Sequence, residues 1–223
     1  MEIPLFPLPN LVLFPNIVVP LHIFEDRYKL MINSCIDTGE AFGIVLLRSG
    51  AEDESQETIH RVGVTARVVE IERLAEGRLN VLCEGESRFR VLRFTQETPY
   101  WKGSVQFFDD QDSPHPMQSL YDDVASLYRN VGDLSAKISG SERGELALPE
   151  SPVDLSFMVS YVLDLDYEEK QKLLEMTSTV ERLQVLRTHL AAAIRKMEQQ
   201  LAYKQVMAKV RGNGDLGRPH GEK

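Results

Sequence analysis

The stretch Phe6–Tyr28, FPLPNLVLFPNIVVPLHIFEDRY, places four prolines (Pro7, Pro9, Pro15, Pro20) among apolar residues. Leu11–Phe14 and Ile17–Phe24 are short apolar runs divided by Pro15-Asn16. Proline has no amide to donate, so such strands are predicted at sheet edges or bends. Asn16 accepts positive φ and suits a tight turn. Over Arg27–Asp37 the apolar positions Tyr28, Met31, Ile32, Cys35 and Ile36 recur at helical spacing, and Gly39 ends the helix. Ala41–Leu47 is a continuous apolar run, read as a buried strand, and the acidic Arg48–Glu57 that follows is read as a mobile loop.

From His60 the period changes to two. Val62, Val64, Ala66 and Val68 alternate with Arg61, Gly63, Thr65 and Arg67, and the phase slips near Val69, where a bulge is predicted. Ala75–Arg78 is a hairpin loop, and Leu79, Val81 and Cys83 alternate on the return strand. Glu84–Phe94 predicts a turn and a further strand with Phe89 and Val91 on one face and Arg88 and Arg90 on the other. Trp101, Gly103, Val105 and Phe107 mark a last strand. Strands of this number and length curl into a barrel or sandwich.

Asp109–Pro116 is the break in composition: acidic, with two prolines and no large apolar side chain until Met117. Beyond it the pattern is helical. Leu120, Val124, Leu127, Tyr128, Val131 and Leu134 line one face, and Lys137–Glu150 is a polar connection. Ser151-Pro152-Val153-Asp154 is a capping-box variant opening an apolar helix to Leu165, and a short helix starts at Asp166–Glu169. Ser178-Thr179-Val180-Glu181 is a full capping box opening the longest helix, to about Val210. Its stripe, Leu183 to Leu201, fades before Lys204, so the helix end is expected to run past its bundle. The expected organisation is a β-rich subdomain over 1–112, a helical bundle over 117–211 and a disordered tail over 212–223.

Charge narrows the function. The net charge is −9, but residues 183–223 carry +5, leaving −14 on residues 1–182. An acidic body repels phosphate backbones, which disfavours nucleic-acid binding there. No apolar run approaches the roughly 20 residues of a membrane span. The two cysteines, Cys35 and Cys83, read as buried thiols of a reducing compartment rather than as one disulfide. With no basic, apolar leader at the N-terminus, a cytoplasmic location is expected.

Catalytic motifs are missing. The chain has no GxxxxGK[ST], no GxGxxG after a strand and no GxSxG, and its five histidines are isolated. His22 with Glu25 is HxxE, which is not a zinc motif. Three features ask for more than a core. In HIFEDRY, Glu25, Asp26 and Arg27 crowd where a strand hands over to a helix; capping by Asp26 with an ion pair is the plain reading. Arg88 and Arg90 share an outer strand face, solvated or available to a carboxylate or an extended peptide. The basic final helix is a solvated element or a docking face.

These residues carry a resemblance. IPLFPLPNLVLFPNIVVPLHIFEDRYKLMI, then FGIVLL, then VGVTARVVEIERLAEGRLNVLCEGESRFRV and EKQKLLEMTSTVERLQVLRTHL, resemble in order the Lon protease N-terminal (LON substrate-binding) domain family, from about Ile3 to Leu190. Asn16 stands where that family usually has glycine. In Lon proteases an ATPase and a serine–lysine dyad protease follow; neither is identifiable here. The resemblance implies an α+β fold, an antiparallel PUA-like pseudobarrel with one helix beside an α-helical bundle ending in a long helix. It implies a non-enzymatic module that recognises unfolded or degron-bearing polypeptides, with no cofactor and with a separate ATPase or protease as a further partner. The residues assigned to peptide binding are His22, Glu25, Asp26, Arg27, Arg88 and Arg90. The alternatives are a hydrolase with an unrecognised site and an RNA-binding PUA-like module.

Overall fold

The computed structural model describes residues 1–48, 54–111, 117–142 and 147–213, with side chains as far as Met207. Parts of the expected mobile loop (49–53), of the acidic break (112–116) and of the polar connection (143–146), and the tail from 214, lie outside the described residues. The chain divides into two compact units: residues 1–115 with 149–182, and residues 116–148 with 183–223.

The first unit is built on six strands: β1 (Glu2–Leu8), β2 (Val18–Ile23), β3 (Phe42–Leu47), β4 (Ile59–Arg73), β5 (Leu79–Gln96) and β6 (Lys102–Phe107). The helix α1 (Asp26–Thr38) lies between β2 and β3, and α3 (Pro152–Val162) and α4 (Tyr167–Glu175) return to the same unit. The strand order is β2-β5-β4-β3-β1-β6, and β6 also pairs with β5. That second pairing closes five strands into a barrel and leaves β2 outside it. The fold is α+β, mostly antiparallel, with one parallel pair, β1 on β3.

Two strands depart from the pattern read in the sequence. Leu11–Phe14 is not a strand, although Val12, Leu13 and Phe14 are buried; the first strand is β1, which carries Pro4 and Pro7. β1 changes neighbours midway, pairing Glu2–Pro4 with β6 and Leu5–Leu8 with β3. Each proline therefore has one side without a strand, where a missing amide breaks no ladder bond. The turn predicted at Glu84–Glu86 is absent, and β5 runs straight through Gly85. A Cβ on Gly85 would stand 2.3 Å from the Phe14 carbonyl oxygen. Without one, the turn at Phe14–Ile17 seats against the strand, with Asn16 N–H donating to the Gly85 carbonyl (2.8 Å) and Gly85 N–H to Ile17 (2.9 Å). Asn16 adopts φ 61°, the left-handed turn its residue type allows.

Inside the barrel, Ile3, Leu5, Val45, Ile59, Phe89, Val91, Trp101 and Val105 form one apolar cluster. Phe89 fills its centre because Gly43 and Gly63 leave room: a Cβ on either would come within 3 Å of its ring. Alternation sends His60, Val62 and Val64 of β4 and Arg88 of β5 to the outer wall. That wall is dry, because α3 and α4 complete this unit: Val62, Val64 and Arg88 are buried, and Gln171 Nε2 of α4 donates to the Val62 carbonyl (3.0 Å).

The capping boxes hold. Ser151 Oγ accepts from Asp154 N–H, Asp166 accepts from Glu169 N–H at 2.7 Å, and Ser178 Oγ accepts from Glu181 N–H. The second unit contains α2 (Gln118–Ser139) and most of α5 (Thr179–Asn213). Its buried stripe is Val124, Ala125 and Leu134 from α2 with Leu183, Leu186, Leu190 and Ile194 from α5. Lys204 Nζ donates to the Ile138 carbonyl at 2.6 Å. Tyr203, Val206 and Met207 near the end of α5 are exposed. Among the described residues no helix is long and apolar enough to cross a membrane.

Candidate functional site

The six residues singled out in the sequence fall in two places. Arg88 is 3% exposed, not on a solvated face. Its Nη1 donates to the carbonyls of Leu174 (3.0 Å) and Met176 (2.6 Å), and its Nη2 to Asp110. Asp110 also accepts from Arg182 and from the Thr179 hydroxyl, while Arg182 Nε donates to Ser156 Oγ at 2.8 Å. Phe157 lies against both guanidinium groups, 5.1 Å from that of Arg88 and 4.2 Å from that of Arg182. Burial pushes the Asp110 carboxyl up, yet hydrogen bonds from Arg182 and Thr179 and the charges of Arg182 and Arg88 outweigh it and hold the group below the usual carboxylate range. This cluster fastens β5 to the segment after β6 and to the first turn of α5, and no part of it is open to a ligand. Its neighbour Arg90 is exposed, with its guanidinium 5.7 Å from the Phe108 ring.

The other four residues surround the β2–α1 junction. Asp26 does not cap α1: the N-cap is Glu25, with no side-chain cap bond, and Asp26 pairs instead with Lys29 at 2.6 Å. Arg27 bridges Glu25 (2.9 Å) and Glu54, which it grips with both Nη1 (3.0 Å) and Nη2 (2.7 Å). The Tyr28 hydroxyl donates to the same Glu54 carboxylate at 2.9 Å. Burial and that carboxylate push the Tyr28 phenol far above its ordinary value, so it stays protonated and can donate to Glu54. Glu54 comes from a loop whose composition reads as solvated, and only the folded chain brings it here.

His22 lies outside this ion-paired group. Its Nδ1 is 2.7 Å from Asn80 Oδ1, and its ring stacks on Phe24 with centroids 6.0 Å apart. It belongs to a three-stranded extension of the barrel, in which β2 pairs with Leu79–Glu84 of β5 and that segment pairs with Arg67–Arg73 of β4. Registers place Val18, Glu84 and Arg67 in one row, Pro20, Leu82 and Glu70 in the next, then His22, Asn80 and Glu72. This outward face is braced by polar pairs: Arg67 to Glu84 and Glu86, each 2.7 Å, and Asn80 to Glu72 at 2.7 Å. Along its β2 border it is apolar, with Val18 50% and Phe24 60% exposed and Pro20 open between them. Among the described residues β5 is the one strand partner of β2, which makes β2 an edge. The sequence pattern missed Phe24 as a surface residue because it ends an apolar run read as core.

Among the described residues no three His, Cys, Asp or Glu side chains converge to hold a metal ion. Both thiols are free and buried.

Comparison with known proteins agrees with this architecture. The family model of the ATP-dependent protease La (LON) substrate-binding domain matches residues 2–192. The Lon protease of Flavobacterium johnsoniae is 28% identical over 202 residues, which are 88% of this chain and 25% of that protein. The Lon protease of Anaeromyxobacter dehalogenans is 27% identical over 187 residues, 82% of this chain and 22% of that protein. The chain thus spans about a quarter of the length of these relatives. A Lon N-terminal domain protein from Xanthomonas campestris has the same fold, with TM-score 0.62 at 24% identity, covering 83% of this chain and 96% of that one. The N-terminal domain of Mycobacterium avium complex Lon protease aligns with TM-score 0.62 at 17% identity, over 86% and 98% of the two chains.

Proposed function

The chain belongs to the LON substrate-binding domain family, and from that premise we propose that it recognises unfolded or degron-bearing polypeptides without cutting them, on the outward face of its β2–β5–β4 extension. The observation that carries this reading is the apolar border of β2. Val18 and Pro20 on an edge strand, and Phe24 just past its end, are open to solvent beside His22 and the charged group Glu25, Asp26 and Arg27. An extended chain laid there gains apolar contacts from Val18 and Phe24 and backbone pairing from the free edge. Arg27 is already committed to Glu25 and Glu54, so it shapes the end of the surface and leaves the contacts to its neighbours. Arg90 borders a different wall, and Arg88 is enclosed. The module works in the cytoplasm with an ATPase or protease that handles what it binds.

The test is fluorescence anisotropy with a labelled, carboxymethylated polypeptide that cannot fold. Val18→Ser with Phe24→Ser is expected to weaken binding at least fivefold with an unchanged melting temperature, since surface substitutions cost within about 0.5 kcal/mol. Unchanged affinity would overturn the surface. Incubating the pure chain with casein, with and without ATP, is expected to yield no cleavage; reproducible turnover would overturn the non-enzymatic reading.

A further inference from the structure

His60 sits on the outer wall of β4, 6% exposed, with a carboxylate of α4 at each ring nitrogen. Nε2 is 3.1 Å from Glu168 Oε2, and Nδ1 is 3.8 Å from Glu175 Oε1. The two carboxylates belong to the first and last turns of α4, so their side chains bracket the imidazole from the two ends of the helix. They lie on opposite sides of the ring, which rules out joint chelation of one ion and leaves a proton-dependent pairing. A neutral imidazole carries one N–H, whereas an imidazolium carries two, one donating to Glu168 and the other turned toward Glu175 at ion-pair distance. Glu175 is itself held by Gln171 Nε2 (2.8 Å), whose amide also reaches the Val62 carbonyl of β4.

We propose that His60 is a pH-responsive latch, fastening α4 to the outer wall of β4 when its imidazole is protonated and slackening when the proton leaves. The other charges facing the pair are Arg48 after β3, which works against the imidazolium, and Arg90 of β5, which favours ionised Glu175. The carboxylates of Glu175 and then Glu168 outweigh burial and raise His60 above its ordinary value. Contact with His60, then with Gln171, outweighs burial and lowers Glu175. A raised histidine contributes fully below its unfolded value near 6.5 and loses its contribution as pH rises through the folded one. A lowered glutamate contributes above its unfolded value near 4.3 and loses it as pH falls through the folded one. The latch is therefore tightest between about pH 4.3 and 6.5, and slackens on the alkaline side. Slackening uncovers Val62, which α4 keeps dry.

The experiment is backbone hydrogen exchange on the full chain at pH 5.5 and 8.5, corrected for intrinsic chemistry, alongside carbon-detected titration of the His60 imidazole. Protection of the α4 amides is expected to fall about tenfold for each unit by which the folded chain raises the imidazole. His60→Gln, and separately Glu168→Gln with Glu175→Gln, are expected to abolish that pH dependence. An imidazole midpoint at or below about 6.5 overturns the proposal, as does equal pH dependence in the native chain and either variant. The native titration and the double variant decide the matter if His60→Gln does not fold.

Discussion

Arg182 donates through Nη1 and Nη2 to both carboxylate oxygens of Asp110, 72 residues earlier in the chain. The same carboxylate takes Arg88, so one negative charge serves two buried cations that would otherwise repel. Removing it leaves two guanidinium groups uncompensated in a dry site. Breaking a buried pair from one side costs about 3–5 kcal/mol. Asp110→Ala is expected to lose that much in urea unfolding, with polypeptide binding retained by the folded fraction. Because the folded state lowers the Asp110 carboxyl, its contribution is present above its unfolded value near 3.9 and fades as pH falls through the folded one.

The thiols are expected to be silent in the folded chain. Burial pushes Cys35 up to about 11, with Glu40 adding to it and Lys102 opposing; burial pushes Cys83 up to about 12. The thiolate is the reactive form, and at pH 8 neither side chain supplies it. Titration with a disulfide reagent should show no fast phase until denaturant is added, then two thiols per chain.

Gly63 tests the barrel interior. A Cβ there would stand 2.2 Å from the Ile44 carbonyl oxygen and 2.7 Å from Val45 Cγ1, inside the β3–β4 pair. The first of these is backbone, which cannot step aside without moving the strand. Gly63→Ala is expected to cost about 1–3 kcal/mol, the usual range for overpacking, read as a lowered melting temperature.

Much of the helical part was legible in the sequence because caps are local: Ser151, Asp166 and Ser178 each accept from the amide three residues on, and the pattern needs nothing more distant. Arg88 was not legible. Strand alternation says that Arg88 and Phe89 face opposite ways, but not that α3 and α4 return after a long interval to cover the polar side. Nor could composition mark Asp110 as its partner, because the acids beside it read as a solvated linker. β1 was hidden by its prolines, which the handover between β6 and β3 tolerates. At the candidate surface, His22 to Arg27 point to the junction the proposal uses, while Glu54 and Phe24 emerge only when the loop and the strand end are placed in space.

β5 is a single strand whose first half ladders onto β2 and whose second half ladders onto β6 inside the barrel. The extension therefore has no hinge of its own. Force applied to β2 passes through the β5 backbone into the barrel's hydrogen-bond ladders, which share the load along their length. Peeling the extension away would mean shearing the strand that also carries Phe89, so the extension stays joined to the barrel until the barrel itself yields.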